Sequence, residues 1–111
     1  MLAELGADVI VVEPPEGSMH RSRPPFALSA SGPEASLRWW GGNAGKRSVT
    51  VDLETEAGAL QRLIASADIV ISGAGPISDG PLSYDESATD RRSLIWVVVS
   101  PFGLNSARAG Q

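Results

Sequence analysis

Cysteine does not occur in the chain, which excludes disulfide staples and thiolate metal sites. There is one histidine, His20, and the acids are scattered, so no metal-ligand cluster can be assembled and no metal is expected. A triad built on His20 would need a nucleophile and an orienting acid that spacing alone does not identify. Beside Arg21 it reads as a surface residue or a minor ligand contact. Long apolar runs are missing too: no window approaches the roughly 18–20 apolar residues of a membrane helix, so no membrane partner is expected. Met1-Leu2-Ala3-Glu4 lacks a basic region followed by an apolar core, so it does not read as a secretory signal. A cytoplasmic location is then the default expectation. Positive charge is in short supply, with 9 Lys and Arg against 13 Asp and Glu and a formal charge of −4. That balance argues against nucleic-acid binding driven by the field of the whole molecule.

What is present fits one modest globular domain: 111 residues, 42% hydrophobic and 20% charged. Leu2, Ala3 and Leu5 have helical character, and Gly6 stands where a helix C-cap belongs. Ala7 to Glu13 (ADVIVVE) is apolar on successive positions, the signature of a strand covered on both faces in a parallel sheet, and Pro14-Pro15 stops it. Residues 16–42 read as a long loop with Gly17, Pro24, Pro25, Gly32 and Pro33, and Trp39-Trp40 are expected to anchor its end by core or interface packing, with ligand stacking as the alternative. Ser48 to Leu53 alternates as a strand does. Thr55 can cap a helix that places Leu60, Leu63 and Ile64 on one face and ends near Ser66. Ala67 to Ile71 is the next strand, broken at Ser72-Gly73. A short helix is expected over Tyr84 to Arg91, and Ser93 to Val99 is the last strand. The alternation predicts an α/β fold, Rossmann-like, with a mostly parallel sheet and helices on both faces. The five-residue helical stub at the start and the last strand without a returning helix are read as a fold incomplete at both ends.

The cations are unevenly placed. Arg21, Arg23, Arg38, Lys46 and Arg47 fall within 27 consecutive positions that hold one acid, Glu34. This is either a solvated basic loop or a site for a small anionic ligand, and composition leaves both open. Asn43 and Gly45 favour a tight turn where backbone N–H groups can converge. Lys46 and Arg47 leave that turn as the chain becomes extended, so their side chains face opposite ways and only one can reach a given ligand. Gly73-x-Gly75 follows a strand but lacks the third small residue of a dinucleotide fingerprint, since Ser78 stands there and Pro76 intervenes. Gly45-Lys46 lacks the upstream glycine and the leading strand of a phosphate loop.

Taken in order, four blocks resemble the family III coenzyme A transferases, the group that includes formyl-CoA transferase, the carnitine-CoA transferases and α-methylacyl-CoA racemase. LAELGADVIVVEPPEG (Leu2 to Gly17) is similar to the family's LADLGADVIKVEPP. NAGKRSVTVDLETEAG (Asn43 to Gly58) is similar to its N-x-G-K-R-S-V-x-L-D-L segment. ASADIVISGAGP (Ala65 to Pro76) falls where the family has ADVLVENFRPG, and VVVSPFG (Val97 to Gly103) matches its strand followed by S-x-FG. The resemblance implies a Rossmann-like domain of a threaded homodimer that binds coenzyme A and acts on an acyl-CoA and a carboxylic acid. One aspartate attacks the thioester in the transferases, while acid/base groups exchange the α-proton in the racemase branch. The matching aspartate is expected beyond Gln111, so no catalytic residue is assigned, and Asp52, Asp68, Asp79, Asp85 and Asp90 are not promoted to that role. Carried over by position, Asn43, Lys46, Arg47 and Val51 match the segment lining the coenzyme A nucleotide, and the loop from Pro14 to Arg21 and Arg23 matches the other side of that pocket. Gly73 and Ala74 occupy the third cofactor segment, where the family has an amide and an aromatic ring. Losing such contacts costs on the order of 1–3 kcal/mol. A non-catalytic module that keeps the fold for dimerisation is the alternative of a different class.

Overall fold

A computed structural model of the chain describes residues 1–28, 33–73 and 93–103. The expected helix over Tyr84 to Arg91 lies outside these residues. The chain divides into two compact units, Met1–Glu56 and Ala57–Gln111.

In the first unit, a 3₁₀ turn over Ala3–Leu5 closes on Gly6, whose φ of 95° places it in the left-handed region that a helix C-cap uses. Strand β1 (Ile10–Glu13) follows and pairs in parallel with β2 (Arg47–Thr50), Ile10 opposite Arg47 and Glu13 opposite Thr50. Both strands are shorter than the apolar runs that announce them. Neither is covered on both faces, because Ile10 and Val12 remain exposed on the side away from Glu13. Parallel pairing, which the continuous run predicts, is what the structure has.

The stretch read as a loop over 16–42 holds more structure than the sequence announces. A 3₁₀ turn spans Met19–Ser22, a second spans Pro33–Ala35, and helix α1 runs over Leu37–Asn43. The glycine pair Gly41-Gly42 masks α1 in the sequence, since glycine lowers helix propensity by about 1 kcal/mol per residue. Capping outweighs that cost. Ser36 is fully buried, its Oγ accepts the Trp39 N–H at 3.2 Å and donates to the Arg23 carbonyl at 2.6 Å. One hydroxyl therefore satisfies the helix start and ties the preceding loop to it. Ala27 N–H to the Ala35 carbonyl and Leu37 N–H to the Pro25 carbonyl complete the fastening. The core of this unit is small, with Ala35 and Val51 buried beside Ser36 and Glu13. The tryptophan pair does not bury as a unit: Trp39 is half-buried, and Trp40 is exposed.

The second unit begins with helix α2 (Ala57–Ser66), where Leu60 is buried and Leu63 and Ile64 half-buried on one face, as their spacing predicts. The turn before it is held by Asp52, whose side chain accepts the Glu54 N–H at 2.9 Å. Helix α2 starts two residues beyond Thr55, so the expected cap there is displaced. Strand β3 (Ile69–Gly73) pairs in parallel with β4 (Ile95–Val99), Ile69 opposite Ile95 and Gly73 opposite Val99. Ser72 and Gly73, read as a strand break, belong to β3, and the Trp96 indole N–H donates across the ladder to Ser72 Oγ at 3.0 Å. Parallel strands alternating with helices make this an α/β fold.

Candidate functional site

The end of β1 sets up the site through Glu13, which is 3% exposed. A buried carboxylate must be paired, and this one accepts four bonds. Arg21 Nε donates at 2.7 Å and its second terminal nitrogen at 2.8 Å, the Ser18 N–H donates at 2.9 Å, and the Ser48 hydroxyl donates from β2. The Arg21 guanidinium is the main reason the Glu13 carboxyl titrates at about 2 instead of 4.5; burial works in the opposite direction and is outweighed. The remaining Arg21 nitrogen donates to the exposed Glu34 at 2.6 Å, and the guanidinium lies 4.3 Å from the centroid of the Trp39 ring. Arg21 thus joins β1, the Met19–Ser22 turn and α1 in a single contact set.

Next to this frame is a cavity of about 450 Å³ whose lining residues all lie within Met1–Glu56. Three permanent cations line it: Arg23, Arg38 and Lys46, with His20 beside them. Among the described residues, Val11, Ser18, Trp39 and Asn43 supply the rest of the wall, and no carboxylate lines it. Lys46 is held in place, because its Nζ donates to Asn43 Oδ1 at 3.0 Å while Asn43 Nδ2 donates to the Trp39 carbonyl at 3.0 Å. Gly45 at φ +74° makes the turn that brings Lys46 back beside α1. Arg23 has a single side-chain contact among the described residues, to Met19 Sδ at 3.8 Å.

Carboxylates sort the basic window into two groups. Arg21 is taken by Glu13 and Glu34, and Arg47 by Asp8. Arg23, Arg38 and Lys46 have no carboxylate partner among the described residues, and these three share the cavity. Three like charges around one hollow repel each other until an anion enters. The arrangement can bind a phosphate-bearing ligand. A second hollow of about 510 Å³, lined by residues of the Pro14–Ser22 loop, has Arg21 as its one permanent cation among the described residues, and that charge is already neutralised.

Of the residues singled out in the sequence, Arg23, Asn43 and Lys46 come together at the cavity, and Arg21 stands behind its wall. Arg47 points the other way to Asp8, as strand alternation requires. Val51 is 2% exposed, donates its N–H to the Glu13 carbonyl and sits in the core. Gly73 closes β3 in the second unit with open space where a side chain would be, and Ala74 lies outside the described residues. Arg38 and Trp39 line the cavity without having been assigned to it from sequence. Ser36 as an N-cap is the local signal that could have placed both on a helix. Among the described residues there is no group of acids and histidines able to hold a metal, and no helix is long and apolar enough to cross a membrane.

The chain resembles proteins of one kind along its whole length. The family model for CoA-transferase family III matches residues 1–111. A succinyl-CoA:(R)-benzylsuccinate CoA-transferase subunit, BbsE, from Thauera aromatica is 43% identical over 107 residues, covering 93% of this chain and 26% of that protein. A 2-methylfumaryl-CoA isomerase from Chloroflexus aurantiacus is 38% identical over 102 residues, covering 86% of this chain and 24% of its own. The crystal structure of a CAIB/BAIF family protein from Brucella suis superimposes with a TM-score of 0.80 at 34% identity, over 97% of this chain and 30% of that one. The chain therefore spans about a quarter of the length of the curated relatives it matches. With four sequence blocks in family order, the parallel α/β fold and a family model matched from end to end, this chain belongs to CoA-transferase family III.

Proposed function

We propose that the protein is a CoA-transferase, moving coenzyme A between an acyl-CoA and a carboxylic acid, and that this segment contributes binding for the coenzyme's phosphate-bearing end. The observation behind the site assignment is the sorting of cations in the basic window over residues 21–47: those without a carboxylate partner among the described residues, Arg23, Arg38 and Lys46, share one cavity. Phosphates on a nucleotide supply the charge those cations await, and a cavity of about 450 Å³ is within the range of ligand sites. Coenzyme A comes to this chain as a substrate carrier, and no metal takes part in the proposal. No residue of this chain is assigned as the attacking carboxylate. Family membership also supports a homodimer as the working assembly and the cytoplasm, where acyl-CoA thioesters are handled, as its location.

The isomerase relative favours a second reading, in which the same binding segment serves the isomerisation of a bound acyl-CoA. Both readings share the coenzyme site, so binding is tested first. Isothermal titration with coenzyme A is expected to show saturable binding. Lys46→Ala should weaken it by about tenfold, while Arg47→Ala should leave it within about twofold because that side chain is occupied by Asp8 on the opposite face. Absence of binding at millimolar ligand, or equal losses in the two variants, would overturn the site. Incubating an acyl-CoA with a free carboxylic acid then separates the readings, since exchange of coenzyme A between the two acids is made by a transferase alone.

A further inference from the structure

We propose that Met19 is a reversible oxidation site that decides whether Arg23 is free to serve the cavity, so that a peroxide weakens anion binding without altering the cavity's own wall. This names a regulation of the coenzyme A site and rests on that reading. Met19 opens the Met19–Ser22 turn and is 67% exposed, within reach of a small oxidant. It lines the second hollow and not the cavity. Its Sδ lies 3.8 Å from a terminal nitrogen of Arg23, which does line the cavity. That thioether is the one side-chain contact of Arg23 among the described residues. The backbone holds the two residues in this relation. Ser22 Oγ donates to the Met19 carbonyl at 2.9 Å, the Arg23 N–H donates to the His20 carbonyl at 3.4 Å, and Ser36 Oγ donates to the Arg23 carbonyl at 2.6 Å.

A thioether sulfur is a weak acceptor, so in the reduced protein it leaves the guanidinium to an incoming anion. Oxidation reverses this. Hydrogen peroxide transfers one oxygen to Sδ: the O–O bond breaks as the S–O bond forms, the sulfur loses two electrons, and the other oxygen leaves as water. The sulfoxide oxygen is polar and stands where the thioether met Arg23, so it competes with a ligand phosphate for the same donors. Lys46 is unaffected, because its partner is Asn43. Met1, the other methionine of the chain, is 83% exposed and lines neither hollow. It offers the same chemistry without the Arg23 contact, which makes it an internal control.

The test treats the wild-type protein and the Met19→Leu and Arg23→Gln variants with hydrogen peroxide and locates the added oxygen by peptide mass spectrometry. Each protein is titrated with coenzyme A before and after treatment. Wild type is expected to gain oxygen at Met19 and lose about fivefold in affinity, and methionine sulfoxide reductase should restore it. Met19→Leu, oxidised at Met1 alone, should bind within about twofold of untreated wild type before and after peroxide. Arg23→Gln should be weaker from the start and lose nothing further. Full affinity in wild type carrying the Met19 sulfoxide overturns the switch and leaves the coenzyme A site intact. An equal loss in treated Met19→Leu, or a further loss in treated Arg23→Gln, refutes it as well, since the effect then runs through other residues. So does oxidation that reaches Met1 and spares Met19. Failure of untreated wild type to bind coenzyme A overturns the site and its regulation together.

Discussion

Replacing Glu13 by glutamine tests whether one buried carboxylate holds the site together. The carboxylate accepts two bonds from Arg21, one from the Ser18 N–H and one from the Ser48 hydroxyl. An amide accepts through one oxygen only, so its nitrogen must face groups that are themselves donors. Arg21 would then keep Glu34 as its carboxylate, and the Glu34 side chain is 73% exposed. An exposed pair of that kind contributes under about 1 kcal/mol. The downward displacement of the Glu13 carboxyl, from 4.5 to about 2, corresponds to about 3.5 kcal/mol at roughly 1.4 kcal/mol for each tenfold. Because the folded value lies below the unfolded one, this stability is fully present above about pH 4.5 and is lost as pH falls toward about 2.

Urea unfolding of wild type and Glu13→Gln, followed by tryptophan fluorescence, measures both parts of that argument. At pH 7 the variant should be less stable by about 2–3 kcal/mol. At pH 3.5 the wild type has begun to lose the contribution, so the gap should narrow by about 1 kcal/mol. The difference between the two proteins removes the other carboxylates, which titrate in both. A gap below about 0.5 kcal/mol at pH 7 would show that the Arg21 pair is not what holds β1 to the Met19–Ser22 turn. A gap that does not change with pH would show that the ionised form of Glu13 is not the source of the effect.

Ser36→Ala removes the N-cap of α1 and the bond to the Arg23 carbonyl together, and should cost about 1–2 kcal/mol in urea unfolding, more than a cap alone. Arg38→Gln should behave in the opposite way. Arg38 has no carboxylate partner among the described residues, so thermal stability should hold within about 0.5 kcal/mol while coenzyme A affinity falls several-fold in titration. Gly45→Ala forces a side chain onto a residue at φ +74° and should lower stability by about 1 kcal/mol. By shifting the Lys46 turn it should also weaken coenzyme A binding.

The sequence was most informative where chemistry is local. ADVIVVE followed by two prolines marks β1, the 3–4 spacing of Leu60, Leu63 and Ile64 marks α2, and Gly6 marks the end of the first turn. Strand alternation alone separated Lys46 from Arg47, and the structure sends the first to the cavity and the second to Asp8. What stayed hidden is long-range. Arg21 and Arg23 look equivalent in RSR, and only the end of β1, eight residues before Arg21, decides that Arg21 is bound to a carboxylate while Arg23 lines the cavity. Helix α1 is hidden by its own glycines, which mask the local Ser36 cap on the Trp39 N–H, and the Ser36 bond to the Arg23 carbonyl that fastens it is long-range. With α1 unseen, Arg38 and Trp39 could not be placed together.

The same separation explains how an acidic chain can hold a basic cavity. A cation paired to a carboxylate adds to the frame and has little field left for a ligand; an unpaired one among like charges costs repulsion until its ligand arrives. Arg21 belongs to the first kind, fixed by Glu13 behind the wall, and Arg23, Arg38 and Lys46 belong to the second. Binding energy is then concentrated in residues whose removal leaves the fold standing, and stability in residues that never touch the ligand. Glu13 and Arg38 represent the two kinds, so their variants should move stability and affinity independently. A Glu13→Gln protein that retains its coenzyme A affinity once folded is therefore the expected result, because the Ser36 and Asn43 hydrogen bonds reach Trp39 and Lys46 without passing through Arg21. Loss of affinity in the folded variant would refute the separation and make the ion pair part of the cavity's shape.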